Sequence, residues 1–267
     1  MARMQLVELE DLRWMPATWR NQLTEVLRFV LTTFRVYQPA VPMLQKLMDH
    51  MGTHKVVDLC SGSSGPWEWL LPRLERAGYK PQVTLTDKYP NFETLSCIKG
   101  RNRGRIDFMT ASVDARNVPA FLDGIRTIFT GFHHLPPDIA FGVLKDAKDN
   151  RKAIAIFEFT SRKPVSMILM AFTPLMIWLM APFIRPFHFQ RFFWTYVIPV
   201  MPFFVTWDGI VSNLRTYSPE ELEQMVSPLK DADYVWEIGE QWSPWPFRMP
   251  ITYLLGYPRE PISRKQV

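Results

Sequence analysis

Lys55-Val-Val-Asp-Leu-Cys-Ser-Gly-Ser-Ser-Gly65 is a short apolar run that ends in small residues, and it is the segment most informative about the fold. An apolar run of this length is typical of a parallel strand that is buried on both faces. The small residues after it let the backbone turn sharply and approach a ligand, although a plain tight connection has the same pattern. Neither the Lys-Ser/Thr of a phosphate-binding P-loop nor the full three-glycine dinucleotide fingerprint is present. The stretch therefore predicts a nucleotide-type loop between a strand and a helix.

Strand-like and helix-like segments alternate downstream of this loop. After the first strand, further strands are predicted at 83–86, 106–109, 127–130 and 153–159, separated by helices at 67–77, 91–99, 119–124 and 136–145. Two closing strands, at 234–238 and 251–256, follow a capping box at Ser218-Pro-Glu-Glu221. Strands that alternate with helices favour crossover connections. The predicted fold class is therefore α/β, a doubly wound, mostly parallel seven-stranded sheet.

Two helices are predicted before the sheet, over 19–38, where apolar residues recur at helical spacing, and over 42–51. They give the following division of the chain. Residues 1–52 form an N-terminal helical cap, 53–160 the ligand-binding α/β core, 161–206 a hydrophobic helical insertion after the fifth strand, and 207–267 the C-terminal part of the core.

The insertion contains two long runs without a charged residue, at 165–184 and 192–207. Each is near the roughly 20 residues with which a helix crosses a hydrocarbon core of about 30 Å. Prolines interrupt both runs, and proline bends or ends a helix. We predict a helical hairpin that dips into one leaflet or folds over the ligand site, in preference to two full crossings. A soluble lid is the remaining alternative.

Composition narrows the compartment and the partners. The net charge is +5, but the basic residues are dispersed, and the densest group, at 99–105, is typical of a solvated loop. No nucleic-acid partner is therefore expected. Two cysteines form neither a disulfide framework nor a metal-ligand spacing, and acidic residues precede any apolar run at the start. These features predict an intracellular protein without a metal. Ten Trp and nineteen Phe suit a protein that handles apolar material.

Three acidic residues, Asp58, Asp87 and Asp114, lie at or just beyond the ends of successive predicted strands. Carboxyl ends of parallel strands share one edge of the sheet, where open α/β folds bind ligands. Asp87 could accept hydrogen bonds from a ribose diol, and Asp114 could accept from an adenine amino group. Together the three residues predict a ligand that contains adenosine.

The run Val56 to Gly65, followed by Asp87, Asp114 and Thr130-Gly-Phe-His-His-Leu-Pro136, resembles the ordered motifs of class I methyltransferases that use S-adenosylmethionine (SAM). Trp207-Asp-Gly-Ile-Val-Ser-Asn-Leu-Arg-Thr-Tyr217 adds to the resemblance, which covers 55–159 and 207–257. It implies a Rossmann-like sheet with a final antiparallel strand, SAM as cofactor and S-adenosylhomocysteine (SAH) as product. The cofactor-binding residues that it implies are Asp58, Cys60, Gly62, Ser63, Asp87, Lys88, Asp114, Ala115 and Thr130. One departure is Cys60-Ser61-Gly62, where many members have Gly-x-Gly.

Methyl transfer from a sulfonium is an in-line displacement that needs alignment, and it needs a base only when the acceptor is protonated. His133 and His134 follow the fourth strand and are predicted as base or acceptor orienter, together with Glu158 at the end of the fifth. The alternative for the histidines is to cap the helix that begins near 136. The predicted substrate-binding residues are Asp208, Asn213, Arg215 and Tyr217, with a salt bridge to Asp208 as the alternative for Arg215.

The apolar insertion predicts a hydrophobic or lipid-like small-molecule acceptor, reached from the cytoplasmic face of a membrane and methylated on a carboxyl or hydroxyl oxygen or on nitrogen. Two other classes remain open. A non-catalytic membrane or partner-binding protein on a degenerate methyltransferase scaffold is favoured by Cys60 and opposed by the series of three aspartates. The second is a nucleotide-dependent oxidoreductase on a related sheet.

Overall fold

The computed structural model describes residues 2–12, 14–62, 64–90, 92–102, 104–185, 187–244 and 248–260. The helices are α1 Ala17–Thr33, α2 Ala40–Met51, α3 Trp67–Arg76, α4 Phe92–Arg101, α5 Pro137–Asp149, α6 Pro164–Ala171, α7 Thr173–Met180, α8 Phe189–Phe192, α9 Val200–Arg215 and α10 Pro219–Val226. The strands are β1 Lys55–Asp58, β2 Gln82–Leu85, β3 Ile106–Phe108, β4 Ile125–Phe129, β5 Ile154–Glu158, β6 Tyr234–Trp242 and β7 Pro250–Pro258. Short 3-10 turns at Leu9–Asp11 and Phe132–His134 become important at the site.

The seven strands form one sheet in the order β3-β2-β1-β4-β5-β7-β6. Strands β1 to β5 are parallel to one another, and β7 runs antiparallel between β5 and β6. The chain moves outward from β1 to β3 and then returns to β4, so the order reverses between β1 and β4. The crevice at the carboxyl ends of these two strands is the ligand-binding position of open α/β sheets.

Helices cover both faces of the sheet. The apolar sides of α2, α3 and α4 pack on one face through residues such as Leu44, Leu70 and Ile98. The other face is covered by α5 and α10, for example through Val143 and Val226. The doubly wound α/β fold and the closing antiparallel strand are therefore confirmed.

Two predicted helical segments differ from the structure. The segment 119–124 forms turns, because Gly124 brings the chain so close to β1 that a Cβ would lie 2.6 Å from the carbonyl oxygen of Lys55. The first helix ends at Thr33 rather than near 38, since Arg35 adopts a left-handed backbone conformation with φ of 52°. The turns at 119–124 and the end of the first helix both depend on backbone geometry that apolar periodicity does not encode.

The insertion is a series of short helices rather than two long ones. Pro164 and Pro174 lie in the first turns of α6 and α7, and Pro199 precedes α9, so these prolines begin helices where a missing amide costs little. A π-helix at Phe193–Val197 joins α8 to α9. The boundary predicted between residues 206 and 207 falls inside α9, which continues as one helix from the insertion into the motif of the α/β core.

Within the described residues, no single helix combines the length and apolar character that a membrane crossing needs. Two bent pairs meet that requirement jointly by length and composition, Pro164–Ala171 with Thr173–Phe183 at 52° and Phe189–Val197 with Val200–Arg215 at 84°. The insertion also holds most of the exposed large apolar side chains that the structure describes. We call these residues the apolar insertion surface: Val165, Ile168, Phe172, Leu175, Trp178, Leu179, Phe183, Phe187, Phe189, Phe193, Val197, Ile198, Phe203 and Trp207.

Candidate active site

The loop after β1 turns through several left-handed backbone positions. Cys60 has φ of 53° and Gly62 has φ of 48°. A left-handed conformation costs an L-residue about 1–2 kcal/mol, which explains why glycine is the common residue at the position of Cys60 in the family that the sequence resembles. A Cβ built on Gly62 would meet no atom within 4 Å, so the space beside this backbone is open to a ligand. Ser63, a predicted cofactor residue, lies outside the described residues.

Asp58 lies beneath this loop rather than on its surface. Its side chain is buried, and Oδ1 accepts a hydrogen bond of 2.5 Å from the hydroxyl of Thr127 on β4. The backbone carbonyl of Asp58 accepts hydrogen bonds from Ser61 and Thr86. Burial raises the pKa of Asp58 to about 6 from an ordinary value of 3.8, although the hydrogen bond from Thr127 opposes this. The residue thus holds the loop against its neighbouring strands.

Asp87 reaches the loop from the end of β2. Its Oδ2 accepts a hydrogen bond of 3.0 Å from the amide of Gly62, and Oδ1 accepts one from the amide of Tyr89. The backbone carbonyl of Asp87 accepts from the amide of Val113, which places the next acidic loop beside it. A carboxylate has about four lone-pair directions, so Asp87 keeps capacity for a diol.

Asp114 belongs to the same edge and is already paired. Arg116 contacts it at 2.8 Å and Lys88 at 3.6 Å. The Arg116 guanidinium holds the pKa of Asp114 well below its usual range. Ala115 is buried next to it, while Lys88 is exposed. Asp87, Asp114 and Ala115, which are predicted to bind the adenosine, therefore lie together. With the open backbone at Gly62 they fit a bound SAM.

Thr130 ends β4 with φ of 52°, an unusual conformation for a β-branched residue. Its hydroxyl bonds to the hydroxyl of Tyr37, which donates in turn to the carbonyl of Phe157 at 3.2 Å. Tyr37 is fully buried and lies between α1 and α2. The sequence analysis missed it, because a Tyr next to a predicted helix end carries no signal that distinguishes it from a packing residue.

The predicted catalytic residues His133 and Glu158 form a buried pair. The Nδ1 of His133 donates to Glu158 Oε2 at 2.7 Å, and Oε1 accepts from the backbone amides of Phe132 and His133. Burial alone would raise the pKa of Glu158, but His133 and the amide of Phe132 lower it below its ordinary value. Neither histidine caps α5, whose first turn receives no side-chain cap, so the capping alternative is wrong.

Glu8 completes this cluster from the N-terminal segment, and the sequence analysis missed it too. It is 1% exposed, and its carboxylate lies 3.6 Å from His133 Nε2, 3.5 Å from His134 Nε2 and 3.1 Å from Arg215 Nη1. Burial raises the pKa of Glu8 to about 7. In the sequence, its segment is distinguished only by acidic residues before the first apolar helix, which gives no sign of burial.

The residues predicted to bind the acceptor hold this N-terminal segment and the histidine turn in place. Asp208 accepts hydrogen bonds from the amides of Leu9 and Glu10 at 2.6 and 3.2 Å. Arg215 pairs with Glu8 and Asp11, so the alternative of a salt bridge to Asp208 is wrong.

Asn213 and Tyr217 have comparable scaffold roles. Asn213 accepts from the amide of Ser161 at 2.6 Å, and Tyr217 donates to the carbonyl of Leu135 at 2.6 Å. Of the four residues predicted to bind the acceptor, Asp208 and Asn213 line the cavity beside the cluster, whereas Arg215 and Tyr217 are not among its lining residues.

This cavity has a volume of about 430 Å³ and lies between α1 and the insertion helices α6, α7 and α9. Most of its wall is apolar. Its polar end is formed by Glu8, Glu10, Thr130, His133 and His134. Thr130 thus borders both the cavity and the edge of the sheet where the β1 loop lies. Other residues of the wall include Leu23, Val26, Leu27, Val30, Phe34, Leu169, Met170, Met176 and Val205.

No protein-family model and no curated protein sequence matches the chain. Solved structures do. The plantazolicin methyltransferase BpumL in complex with SAH matches with a TM-score of 0.57 and 11% identity over 92% of this chain and 93% of that chain. BpumL with a monoazolic desmethylPZN analog and SAH gives 0.56 and 11% over 90% of each chain. The CurJ carbon methyltransferase gives 0.52 and 9% over 90% of this chain and 58% of that one. The chain has the fold of the class I SAM-dependent methyltransferases.

Proposed function

We propose that this protein is a SAM-dependent methyltransferase that acts on a hydrophobic or amphipathic small-molecule acceptor. The observation that carries the proposal is the apolar cavity, which meets the carboxyl edge of the sheet at Thr130. At that edge the open backbone at Gly62 lies beside Asp87 and Asp114. A donor site and an acceptor site that share one wall are what an in-line transfer requires.

On the donor side, SAM would supply a methyl group that its sulfonium already activates. The backbone at Gly62 would approach the methionine end, with Asp58 holding the loop from below. Asp87 would accept hydrogen bonds from the ribose diol, and Asp114 would lie at the adenine with Ala115. Cys60 adopts the left-handed backbone conformation that glycine commonly adopts at this position, so the turn is preserved. The replacement of glycine by Cys60 is therefore no evidence for a degenerate scaffold.

On the acceptor side, the apolar wall would hold a hydrophobic body while the polar end holds the atom to be methylated. His133 is oriented by Glu158 through Nδ1, which leaves Nε2 directed at Glu8. An acceptor hydroxyl, carboxyl or amine would be positioned there, and His134 lies beside it with its ring 4.3 Å from that of His133. Excluding water from this end favours the displacement.

We further propose that the acceptor enters from a membrane and that the protein works at the cytoplasmic face of a bilayer. Phe172 and Leu175 line the cavity and are nevertheless 55% and 54% exposed, so the cavity opens on the apolar insertion surface. Exposed apolar areas of this extent mark sites of interaction with membranes or partners. A lipid-like acceptor could therefore pass from the bilayer into the cavity without crossing water.

The proposed activity is tested by calorimetric titration with SAM and SAH, with NAD as the competing ligand. We expect the wild type to bind both SAM and SAH with micromolar affinity. The Asp87→Asn variant should bind them about tenfold more weakly, because its neutral side-chain amide is a weaker acceptor for the ribose hydroxyls than a carboxylate. The matched control is Asp107→Asn, since Asp107 is an exposed residue of β3 paired with Lys99.

Each other outcome identifies a competing class. Preference for NAD would favour an oxidoreductase, and no binding to a folded sample would favour a non-catalytic scaffold. If SAM binds, radioactive methyl transfer from SAM to amphipathic carboxylic acids, phenols and amines, presented in vesicles, would identify the acceptor class.

A further inference from the structure

The polar end of the cavity gathers three side chains in the manner of metal ligands. Glu8, His133 and His134 each direct one oxygen or nitrogen inward, and these atoms lie within 4.8 Å of one another. Two of the three residues are almost wholly buried, and the ligand atoms come from two separate parts of the chain. The cavity borders the group, so a bound ion would face the acceptor.

The distances within the group are unusual for direct hydrogen bonds. His133 Nε2 lies 3.6 Å from Glu8 Oε1, and His134 Nε2 lies 3.5 Å from Glu8 Oε2. A nitrogen–oxygen hydrogen bond spans about 2.7–3.2 Å. Two ligands of a tetrahedral ion with bonds of about 2.1 Å are separated by about 3.4 Å. Both nitrogen–oxygen distances, one to each oxygen of Glu8, are therefore longer than a direct hydrogen bond and near the separation of two ligands of such an ion.

The hydrogen bonding of His133 leads to the same conclusion. Where Nδ1 carries the single proton of the ring and donates it to Glu158, Nε2 is left as an acceptor. That atom is buried without a hydrogen-bond partner in the described chain, as is Glu8 Oε1 opposite it. Two acceptors that face each other need a proton or a cation between them, and the nearest cation, Arg215 Nη1, lies 3.1 Å from Glu8 Oε1. A histidine that binds a metal through one ring nitrogen usually donates its other ring N–H to a carboxylate, as His133 does to Glu158.

The local charge favours a cation as well. Glu8, Glu10 and Asp11 surround the two imidazoles, with His134 lying 3.8 Å from Glu10 and 3.5 Å from Asp11. Arg215 forms ion pairs with Glu8 and Asp11, and Arg3 donates to the backbone carbonyls of Arg215 and His133. Two guanidinium groups therefore lie near four carboxylates, because Glu158 belongs to the cluster as well. The alternative is a network in which Arg215 is the resident cation and no metal is bound.

We propose that Glu8, His133 and His134 bind a divalent first-row transition ion, and that Zn²⁺ fits best because two histidines and one glutamate are a known catalytic zinc set with an open fourth position. Because the three side chains border the cavity, an oxygen or nitrogen of the acceptor would be able to complete the coordination. The inference rests on the proposed methyl transfer and departs from the metal-free site expected from the sequence. It makes His133 a ligand and Glu158 the residue that positions it.

The test measures metal directly on untagged protein that has been stripped with EDTA. Zn²⁺ is titrated in competition with a chromophoric chelator, and Co²⁺ is added separately so that its visible absorption reports coordination. We expect about one equivalent of Zn²⁺ in the wild type and an affinity at least about tenfold lower in His134→Ala and Glu8→Gln. His134 is 26% exposed by side chain, so its truncation leaves the core intact.

His188→Ala is the matched control, since His188 lies 3.4 Å from the carboxylate of Glu25, outside the cluster. This variant should bind Zn²⁺ like the wild type and give the same Co²⁺ spectrum. The proposal is overturned if the wild type binds no more Zn²⁺ than His134→Ala, or if His188→Ala loses as much affinity as the cluster variants.

SAM titration of the same stripped samples separates the two proposals. SAM binding without Zn²⁺ binding would overturn the metal site and leave the proposed function standing, with Arg215 as the cation of the cluster. Absence of SAM binding would overturn the proposed function, while the Zn²⁺ titration would still decide the metal site independently.

Discussion

Asp58 shows how a single residue of the β1 loop combines support of the site with a cost in stability. Its carboxylate is almost wholly buried, with one short hydrogen bond from Thr127, and burial raises its pKa to about 6. At neutral pH the residue is therefore mostly ionised in a place that disfavours charge. Tyr37 shows the opposite balance, because its buried hydroxyl is satisfied by Thr130 and by the Phe157 carbonyl.

The first prediction at this scale concerns pH. Asp58 has a folded pKa of about 6, above its ordinary value of 3.8, so the folded state binds more protons than the unfolded chain between these pH values. Its contribution to the free energy of unfolding therefore falls as the pH rises from about 4 to about 6. Asp58→Asn removes this dependence. Since each pKa unit is worth about 1.4 kcal/mol, the variant should gain about 3 kcal/mol relative to the wild type across the window.

Urea unfolding of both proteins from about pH 4 to about pH 8 measures the difference. Titration of the other ionisable groups changes the free energy of unfolding of both proteins alike, so it cancels in the difference between them. A difference between variant and wild type that does not change with pH would show that the Asp58 carboxyl is not perturbed by burial.

At the scale of elements, α9 has two functions along one helix. Its first half contributes Phe203 and Trp207 to the apolar insertion surface. Its second half carries Asp208, which binds two amides of the N-terminal 3-10 turn, and Arg215, which reaches the histidine turn. One rigid helix thus fixes the position of Glu8 relative to the histidines and joins the insertion to the polar end of the cavity.

The second prediction follows from this connection. Asp208→Ala should release the amides of Leu9 and Glu10, which would then exchange hydrogen faster in deuterated solvent. The free energy of unfolding should fall by about 1–2 kcal/mol, because two amides lose a charged acceptor. Hydrogen-exchange mass spectrometry measures the segment 2–12 against β4 of the same molecule as an internal control. Unchanged exchange at 2–12 would mean that other contacts hold this segment.

At the scale of the whole molecule, the cavity and the apolar insertion surface share three helices, because α6, α7 and α9 contribute residues to both. A protein that stays entirely in water rarely exposes so many large apolar side chains in one segment. Under the proposed membrane association, the broken helices and the π-helix are compatible with a segment that lies in the bilayer interface.

The third prediction is therefore that the purified protein floats with vesicles of phosphatidylcholine and phosphatidylserine. Phe183→Ser should weaken vesicle binding about tenfold or more, since burial of a Phe side chain is worth about 1.5–3 kcal/mol. Phe121→Ser is the matched control, because Phe121 is 71% exposed, like Phe183 at 68%, but lies in the turns before β4. A wild type that stays monodisperse without detergent and ignores vesicles would contradict the proposed membrane association.

Sequence patterns alone predict the α/β alternation, the loop after β1 and the series of Asp58, Asp87 and Asp114. These features are local, since strand burial, turn residues and a carboxylate at a strand end are each visible within a few neighbouring positions. Parallel strands then bring successive strand ends to one edge, so their grouping followed from the order alone.

The arrangement at the polar end of the cavity could not be predicted from the sequence, because it depends on contacts between distant segments. Glu8 reaches the histidines because Asp208 binds the amides on its C-terminal side, across 199 residues of sequence, and Tyr37 meets Thr130 across 93. The roles of Arg215 and Tyr217 as supports rather than cavity residues depend equally on distant partners. Burial of a charged side chain is set by which elements pack together, and that packing is not encoded at any single position.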